Sequence, residues 1–130
     1  GEKVLSRNFE LSLNIKTWES IQIDIELKII LGEFKEHQKL PPIKELANQY
    51  GVGVTTMQKI TKSLMDSKII FKNIDGRFYV CKGIRDSLRK KHILQAQKIA
   101  LQGFEYLSLL EVDMDKQIER FKTIIDNKER

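Results

Sequence analysis

The segment 40–70, LPPIKELANQYGVGVTTMQKITKSLMDSKII, narrows the possible folds more than any other part of this 130-residue chain. Pro41-Pro42 breaks the preceding segment and suits a helix start, because the first helical turn has no use for that N–H. A helix over about 42–50 then puts Ile43, Leu46, Ala47 and Tyr50 on one inner face. Gly51-Val52-Gly53 makes a tight turn. A second helix over about 54–66 turns Met57, Ile60, Leu64 and Met65 inward and leaves Thr55, Gln58, Lys59 and Lys62 outward. Two short helices, a glycine turn and a polar outer face are the signature of a helix-turn-helix.

The flanks extend that unit. Trp18, Ile21, Ile25 and Ile29 recur at three- and four-residue steps and predict a helix over about 18–31, with Thr17 as its cap and Gly32 at its end. Before it, Phe9, Leu11, Leu13 and Ile15 alternate with polar residues, which predicts a short strand or extended arm. After the segment, residues 69–73 and 77–82 read as strands joined by Ile74-Asp75-Gly76, since Asp-Gly favours the backbone of tight hairpins. Three helices followed by a β-hairpin make a winged helix-turn-helix.

Beyond Gly83 the pattern is helical. Leu88, His92, Ala96, Ile99, Gly103, Tyr106 and Leu110 share a seven-residue repeat, predicting a helix over about 85–110. Asp113 can cap a last helix over about 114–127, striped by Met114, Ile118, Phe121 and Ile125. These helices have few apolar neighbours in their own chain, so the simplest partner is a second copy. The expected organisation is a DNA-binding domain over 1–83 with an N-terminal arm, then a helical dimerisation region over 84–130. The expected seam residues are Leu88, Ile99, Tyr106, Leu110, Met114, Ile118 and Phe121. The fold class is mainly α with one small β-hairpin.

Charge placement agrees with a nucleic-acid partner. Window 34–82 holds nine Lys or Arg and four acids, so the whole net charge of +5 lies there. A basic patch attracts phosphate and speeds encounter. Cys81 is the single cysteine, which excludes an intramolecular disulfide and suits a reducing cytosol; it reads as a small apolar residue at a strand end. No apolar run reaches the roughly 20 residues of a membrane span, and no signal peptide is visible. His37 and His92 stand apart from any Cys, which argues against a metal site. No phosphate-cradling loop, nucleophile motif or His cluster suggests an enzyme, and no cofactor is expected.

Each candidate DNA contact has a chemical reason and a plainer rival. Gln58 can bond adenine N6 and N7 together, or be an ordinary surface residue. Lys59 and Lys62 suit phosphate or guanine, or form a solvated face. Thr55 and Thr56 lie where free N–H groups and the helix dipole favour phosphate, or they simply cap the helix. Gly76 lets the wing backbone come close to DNA. Arg77 suits the minor groove, or pairs with Asp75 across the hairpin. Trp18 and Phe78 read as core residues rather than base-stacking platforms.

These residues together resemble the GntR transcription regulators, closest to the short YtrA-like branch. The family's aromatic-x-x-Ile and following Ile before Gly match Trp18, Ile21, Ile29 and Gly32. Its Leu-Pro-Ser-x-Arg-Glu-Leu-Ala matches Leu40, Pro41, Lys44, Glu45, Leu46 and Ala47, and its Gly-Val-Ser-Arg-x-Thr-Val matches Gly51, Val52, Thr56 and Met57. The wing resembles Gly76 to Val80, and 111–116 resembles the branch's last interhelical turn. The family's capping Ser is Pro42 here, its Ser-Arg pair is Gly53-Val54, a second helix Arg is Gln58, and the second wing Gly is Arg77. The resemblance implies a cytoplasmic, homodimeric repressor on a palindromic operator, phosphate contact at Thr55 and Thr56, and a backbone or base grip by Lys44. Larger relatives carry a ligand-binding domain; the two C-terminal helices here leave room for a small effector only at the dimer seam. Rival functions are a winged-helix protein-interaction adaptor without DNA binding, and an RNA binder.

Overall fold

The computed structural model describes residues 3–13 and 15–128, apart from the side chain of Leu11. In chain order the elements are α1 (Arg7–Leu13), α2 (Thr17–Ile30), α3 (Ile43–Gln49), α4 (Val54–Asp66), β1 (Ile70–Lys72), β2 (Phe78–Val80), α5 (Ile84–Ser108) and α6 (Met114–Lys128). They fall into two compact units, residues 1–90 and 91–130, so the start of α5 belongs to the first.

The core of the first unit is built from the apolar stripes expected of its helices. Ile21, Ile25 and Ile29 of α2 meet Leu46 and Ala47 of α3 and Met57, Ile60 and Leu64 of α4, closed by Ile69, Ile70 and Val80. α2, α3 and β1 all pack on α4, which is therefore central. Thr61 is also buried on α4, its hydroxyl satisfied by the Gln58 carbonyl at 3.0 Å.

Three helices end on the same backbone device. After α2, α3 and α4, the second residue past the cap returns its N–H to a carbonyl five residues back: Glu33 to Lys28 at 2.8 Å, Val52 to Ala47 at 3.0 Å and Ile69 to Leu64 at 2.9 Å. The device requires one left-handed residue. At the helix-turn-helix corner that residue is Gly51, with φ 65°, where no Cβ is present to strain. After α4 it is Lys68, with φ 59°, which does carry the strain.

The hairpin pairs Ile70 with Val80, Phe71 with Tyr79 and Lys72 with Phe78, shorter than the strands expected over 69–73 and 77–82. At its tip the Gly76 N–H reaches the Asn73 carbonyl and the Asn73 N–H reaches the Arg77 carbonyl, both at 2.9 Å. Gly76 alone supplies the positive φ, 79°, and Asp75 does not. A third extended piece was not foreseen: Lys39 bridges Tyr79, with Leu40 N–H on the Phe78 carbonyl at 2.8 Å and Val80 N–H on the Gln38 carbonyl at 3.1 Å.

The N-terminal expectation is corrected. Phe9 and Leu13 lie in a helix, α1, rather than in a strand or extended arm; the side chain of Leu11, a member of that alternation, lies outside the described residues. Local polar contacts decide this. The Ser6 hydroxyl caps the Phe9 N–H at 3.2 Å, and the buried Glu10 carboxylate pairs with Lys3 at 2.8 Å and Arg7 at 4.0 Å. Alternation favours a strand only where a neighbouring strand pairs with it. Thr17 opens α2 instead of capping it: Lys16 occupies the cap position and no side chain caps that end.

One polar cluster lies inside the apolar core. Asp24 is 0% and Lys28 1% exposed, with 3.8 Å between carboxylate and ammonium. Asp24 also accepts the Tyr50 hydroxyl at 2.7 Å and, on its other oxygen, the N–H groups of Val4 and Leu5. The Lys28 ammonium lies 4.8 Å from the Tyr50 ring centroid and 5.7 Å from that of Phe34. Burial, then the bond to Asp24 and its charge, push the Tyr50 phenol far above the ordinary tyrosine range. The hydroxyl therefore remains a donor at every pH below that range, and this contribution is lost only as pH rises through the raised value.

The second unit contains the rest of α5 with α6. Glu111 takes a left-handed φ of 56° between them, and the Asp113 carboxylate caps α6 through the Lys116 N–H at 3.3 Å, as its position predicts. Phe104 and Phe121 meet edge to face at 5.7 Å.

Two stability measurements check these assignments. Lys68→Gly is expected to raise the urea midpoint by an amount corresponding to about 1 kcal/mol, because glycine escapes the left-handed penalty. Asp24→Asn is expected to cost about 3 kcal/mol or more, since it leaves Lys28 unpaired in the core. A loss no larger than that of an exposed pair, under about 1 kcal/mol, would show that the cluster does not hold the fold.

Candidate nucleic-acid interface

The proposed reading surface begins at the N-terminus of α4. Gly53 stands at the cap position in extended conformation, and no side chain caps the helix. The first N–H to find an intrahelical acceptor is that of Met57, on the Gly53 carbonyl at 3.1 Å. The N–H groups of residues 54–56 therefore point out of the helix end, where the dipole favours an anion. Thr55 and Thr56 do not cap α4: they are its second and third residues, Thr55 exposed and Thr56 half-buried.

Further along α4, Gln58, Lys59 and Lys62 are exposed on the stripe that Thr55 begins, opposite the buried Met57, Ile60 and Leu64. One helix thus carries both the core and the candidate surface, as a period of 3.6 residues permits. Lys59 is not free in solvent: its ammonium lies 4.6 Å from the centroid of the Trp18 ring on α2. Trp18 itself is half-buried and packs on the core cluster. Lys44 is exposed at the start of α3.

The wing is more tightly organised than its sequence suggests. The Asp75 carboxylate accepts the Tyr79 hydroxyl at 2.6 Å and the Arg77 backbone N–H at 2.9 Å. These bonds hold the Asp75 carboxyl below the usual carboxylate range, and the bond to Asp75 raises the Tyr79 phenol. Asp75 thus meets Arg77 through the main chain. The half-buried Arg77 guanidinium turns the other way and donates to the Leu40 carbonyl at 2.8 Å, tying the wing to the segment that leads into α3. Gly76 is exposed with open space around it, so the turn's positive φ is the structural reason for glycine there. Phe71 and Tyr79 stack at 5.6 Å, and Ile74 at the tip is fully exposed. The sequence pointed to an Asp75–Arg77 pairing, which the structure makes through the Arg77 main chain; the bonds to Tyr79 and to the Leu40 carbonyl depend on the folded hairpin and its docking.

Of the seam residues, Leu88 is corrected. It is 3% exposed in the core cluster of the first unit, since α5 starts inside that unit. Tyr106, Leu110, Ile118 and Phe121 are exposed, and Ile99 and Met114 half-buried. Leu94, Leu101, Leu109 and Ile125 are exposed in the same unit without having been singled out for the seam. Cys81 is half-buried just past β2, and burial raises its thiol pKa, which disfavours the reactive thiolate. Among the described residues no three His, Cys, Asp or Glu gather as a metal site, and no helix is long and apolar enough to cross a membrane.

The pattern of the bacterial regulatory proteins of the gntR family matches residues 17–80, which spans α2, the α3–α4 corner and the wing. Among solved structures, YtrA from Sulfolobus acidocaldarius, a GntR-family transcription factor, is 31% identical over 66% of this chain and 93% of its own, with a TM-score of 0.50. A GntR family transcriptional regulator from Listeria monocytogenes is 21% identical, covers 85% of this chain and 96% of its own, and superposes with a TM-score of 0.72. The DNA-binding domain of AraR in complex with an operator is 22% identical over 62% of this chain and 92% of its own, with a TM-score of 0.50. The curated proteins offer no match. The helix-turn-helix geometry, the family pattern over it and the likeness to YtrA together make this chain a member of the GntR family of DNA-binding transcription regulators.

Proposed function

We propose that the protein is a homodimeric repressor that binds a palindromic operator, with α4 in the major groove and the wing beside it. The observation that carries this reading is the exposed face of α4, where Thr55, Gln58, Lys59 and Lys62 follow an uncapped helix N-terminus. In this reading Gln58 reads a base edge. Lys59, Lys62 and Lys44 neutralise phosphates, and the free N–H groups with Thr55 and Thr56 receive another. Gly76 and Arg77 present the wing. Arg77 has further guanidinium donors beyond the one held by Leu40, so it can serve the wing's anchorage and a DNA contact at once.

The second unit is the dimerisation region of this proposal. Its exposed Tyr106, Leu110, Ile118 and Phe121 form an apolar surface that water penalises and a two-fold partner would cover. With Leu88 committed to the first core, the seam is assigned to Ile99, Tyr106, Leu110, Met114, Ile118 and Phe121. AraR's operator complex supports DNA as the partner. The protein-interaction adaptor and the RNA binder are the alternatives that the following measurements exclude or admit.

Selection of bound duplexes from a random pool is expected to yield a palindrome with half-sites one or more helical turns apart. Absence of duplex binding even at low salt would sink the DNA reading, and a preference for single strands would favour RNA. Gln58→Ala is expected to relax discrimination at one base position by about 1–3 kcal/mol. An unchanged base preference removes the reading role from Gln58. By sedimentation the full chain is expected to be a dimer and a chain ending at Lys90 a monomer; a dimer from the shorter chain contradicts the role given to the C-terminal helices.

A further inference from the structure

Among the described residues, Lys59 is the lysine on the exposed side of α4 for which the structure shows a ring contact within its own fold, and the ring is a half-buried indole. The ammonium lies 4.6 Å from the centroid of the Trp18 ring while the residue remains exposed. Trp18 packs against the core of α2 and α4, yet its indole nitrogen is shut off from solvent with no hydrogen-bond acceptor among the described residues. An unpaired buried donor is unfavourable, and a ring without a donor avoids it. Phenylalanine would remove that unpaired donor but, being smaller, would leave part of the indole's volume unfilled. What phenylalanine supplies less well is a face for a cation, since the indole has the strongest negative quadrupole of the aromatic side chains.

We propose that Trp18 is a positioning residue for DNA: its ring holds the Lys59 ammonium where α4 meets the phosphate backbone, limiting the orientations that a long lysine side chain must give up on binding. The proposal rests on the DNA-binding reading of α4. It adds a residue of α2, outside the helix-turn-helix, to the recognition surface, and it ties that surface to the core through a single ring. A lysine with four rotatable bonds loses much side-chain entropy when it is fixed against a phosphate. One already held over a ring loses less, so the contact acts by preorganisation rather than by touching DNA.

The test uses the full chain and a random-sequence DNA duplex, with affinity measured by anisotropy across a salt series for the wild type, Trp18→Phe, Lys59→Ala and the double variant. Trp18→Phe is expected to stay folded at the assay temperature, melting somewhat lower because the smaller ring leaves space, and to bind DNA about two- to fivefold more weakly. Lys59→Ala is expected to lose more affinity and to reduce the log–log salt slope by about one contact. In the Lys59→Ala background the Trp18→Phe change is expected to cost nothing further. Trp18 is the sole tryptophan, so its fluorescence reports the contact directly: Lys59→Ala is expected to change the emission of the free protein. Independent, multiplying losses from the two substitutions overturn the proposal, as does unaltered affinity in Trp18→Phe or unchanged indole emission in Lys59→Ala. Either of the first two results, with wild-type binding intact, leaves the DNA reading standing. Failure of the wild type to bind duplex at low salt removes both.

Discussion

A carboxylate and an ammonium with almost no exposed surface lie at the centre of this fold, and much of its geometry serves to satisfy them. Asp24 gathers the backbone of residues 4 and 5, the Tyr50 hydroxyl and the Lys28 ammonium. At 3.8 Å the ion pair alone is a modest attraction against the cost of desolvating both groups. The added hydrogen bonds and the two aromatic faces over Lys28 close the balance. Tyr50 ends α3 and immediately precedes the left-handed Gly51. Anchoring its hydroxyl to α2 therefore fixes where the chain turns, and so where α4 begins. The orientation of α4 depends on a polar cluster that touches none of the candidate DNA contacts.

The same economy of position governs α4. Its buried face binds α2, α3 and β1 into one core, and its opposite face carries the candidate contacts. A helix so constrained cannot shift without disturbing the packing, which is what precise placement of side chains in a groove needs. The wing is fixed in a similar way. Asp75 locks the tip through Tyr79 and the Arg77 N–H, while the Arg77 guanidinium fastens the tip end of the hairpin to the Leu40 carbonyl. Lys59 over Trp18 adds a third link between the surface and the body of the domain.

The elements that were legible are those whose cause is local. The stripe of Ile21, Ile25 and Ile29, the corner at Gly51 and the Asp113 cap follow from helical periodicity, left-handed backbone and a short polar side chain, all of which act within a few residues. The candidate DNA residues were legible as a face for the same reason. The strand expected at Phe9 and Leu13 failed because alternation carries information only if a partner strand exists. Leu88 is one helical turn before His92 on the C-terminal helix, but helical spacing cannot say which residues of that helix pack into the first unit.

By itself, then, the sequence determined the class of the domain, its family and the side of α4 that stays polar, because periodicity, turn chemistry and charge placement are short-range properties. Tertiary structure alone decided that Asp24 and Lys28 are buried, that Arg77 folds back onto Leu40 and that Lys59 rests on Trp18. Each of the last two contacts joins residues at least 37 positions apart or on different helices. Asp24 and Lys28 are neighbours on one helix, and on a free helix they would be an ordinary exposed pair. The packing of α3 and the N-terminal segment around them is what makes that pair a structural centre.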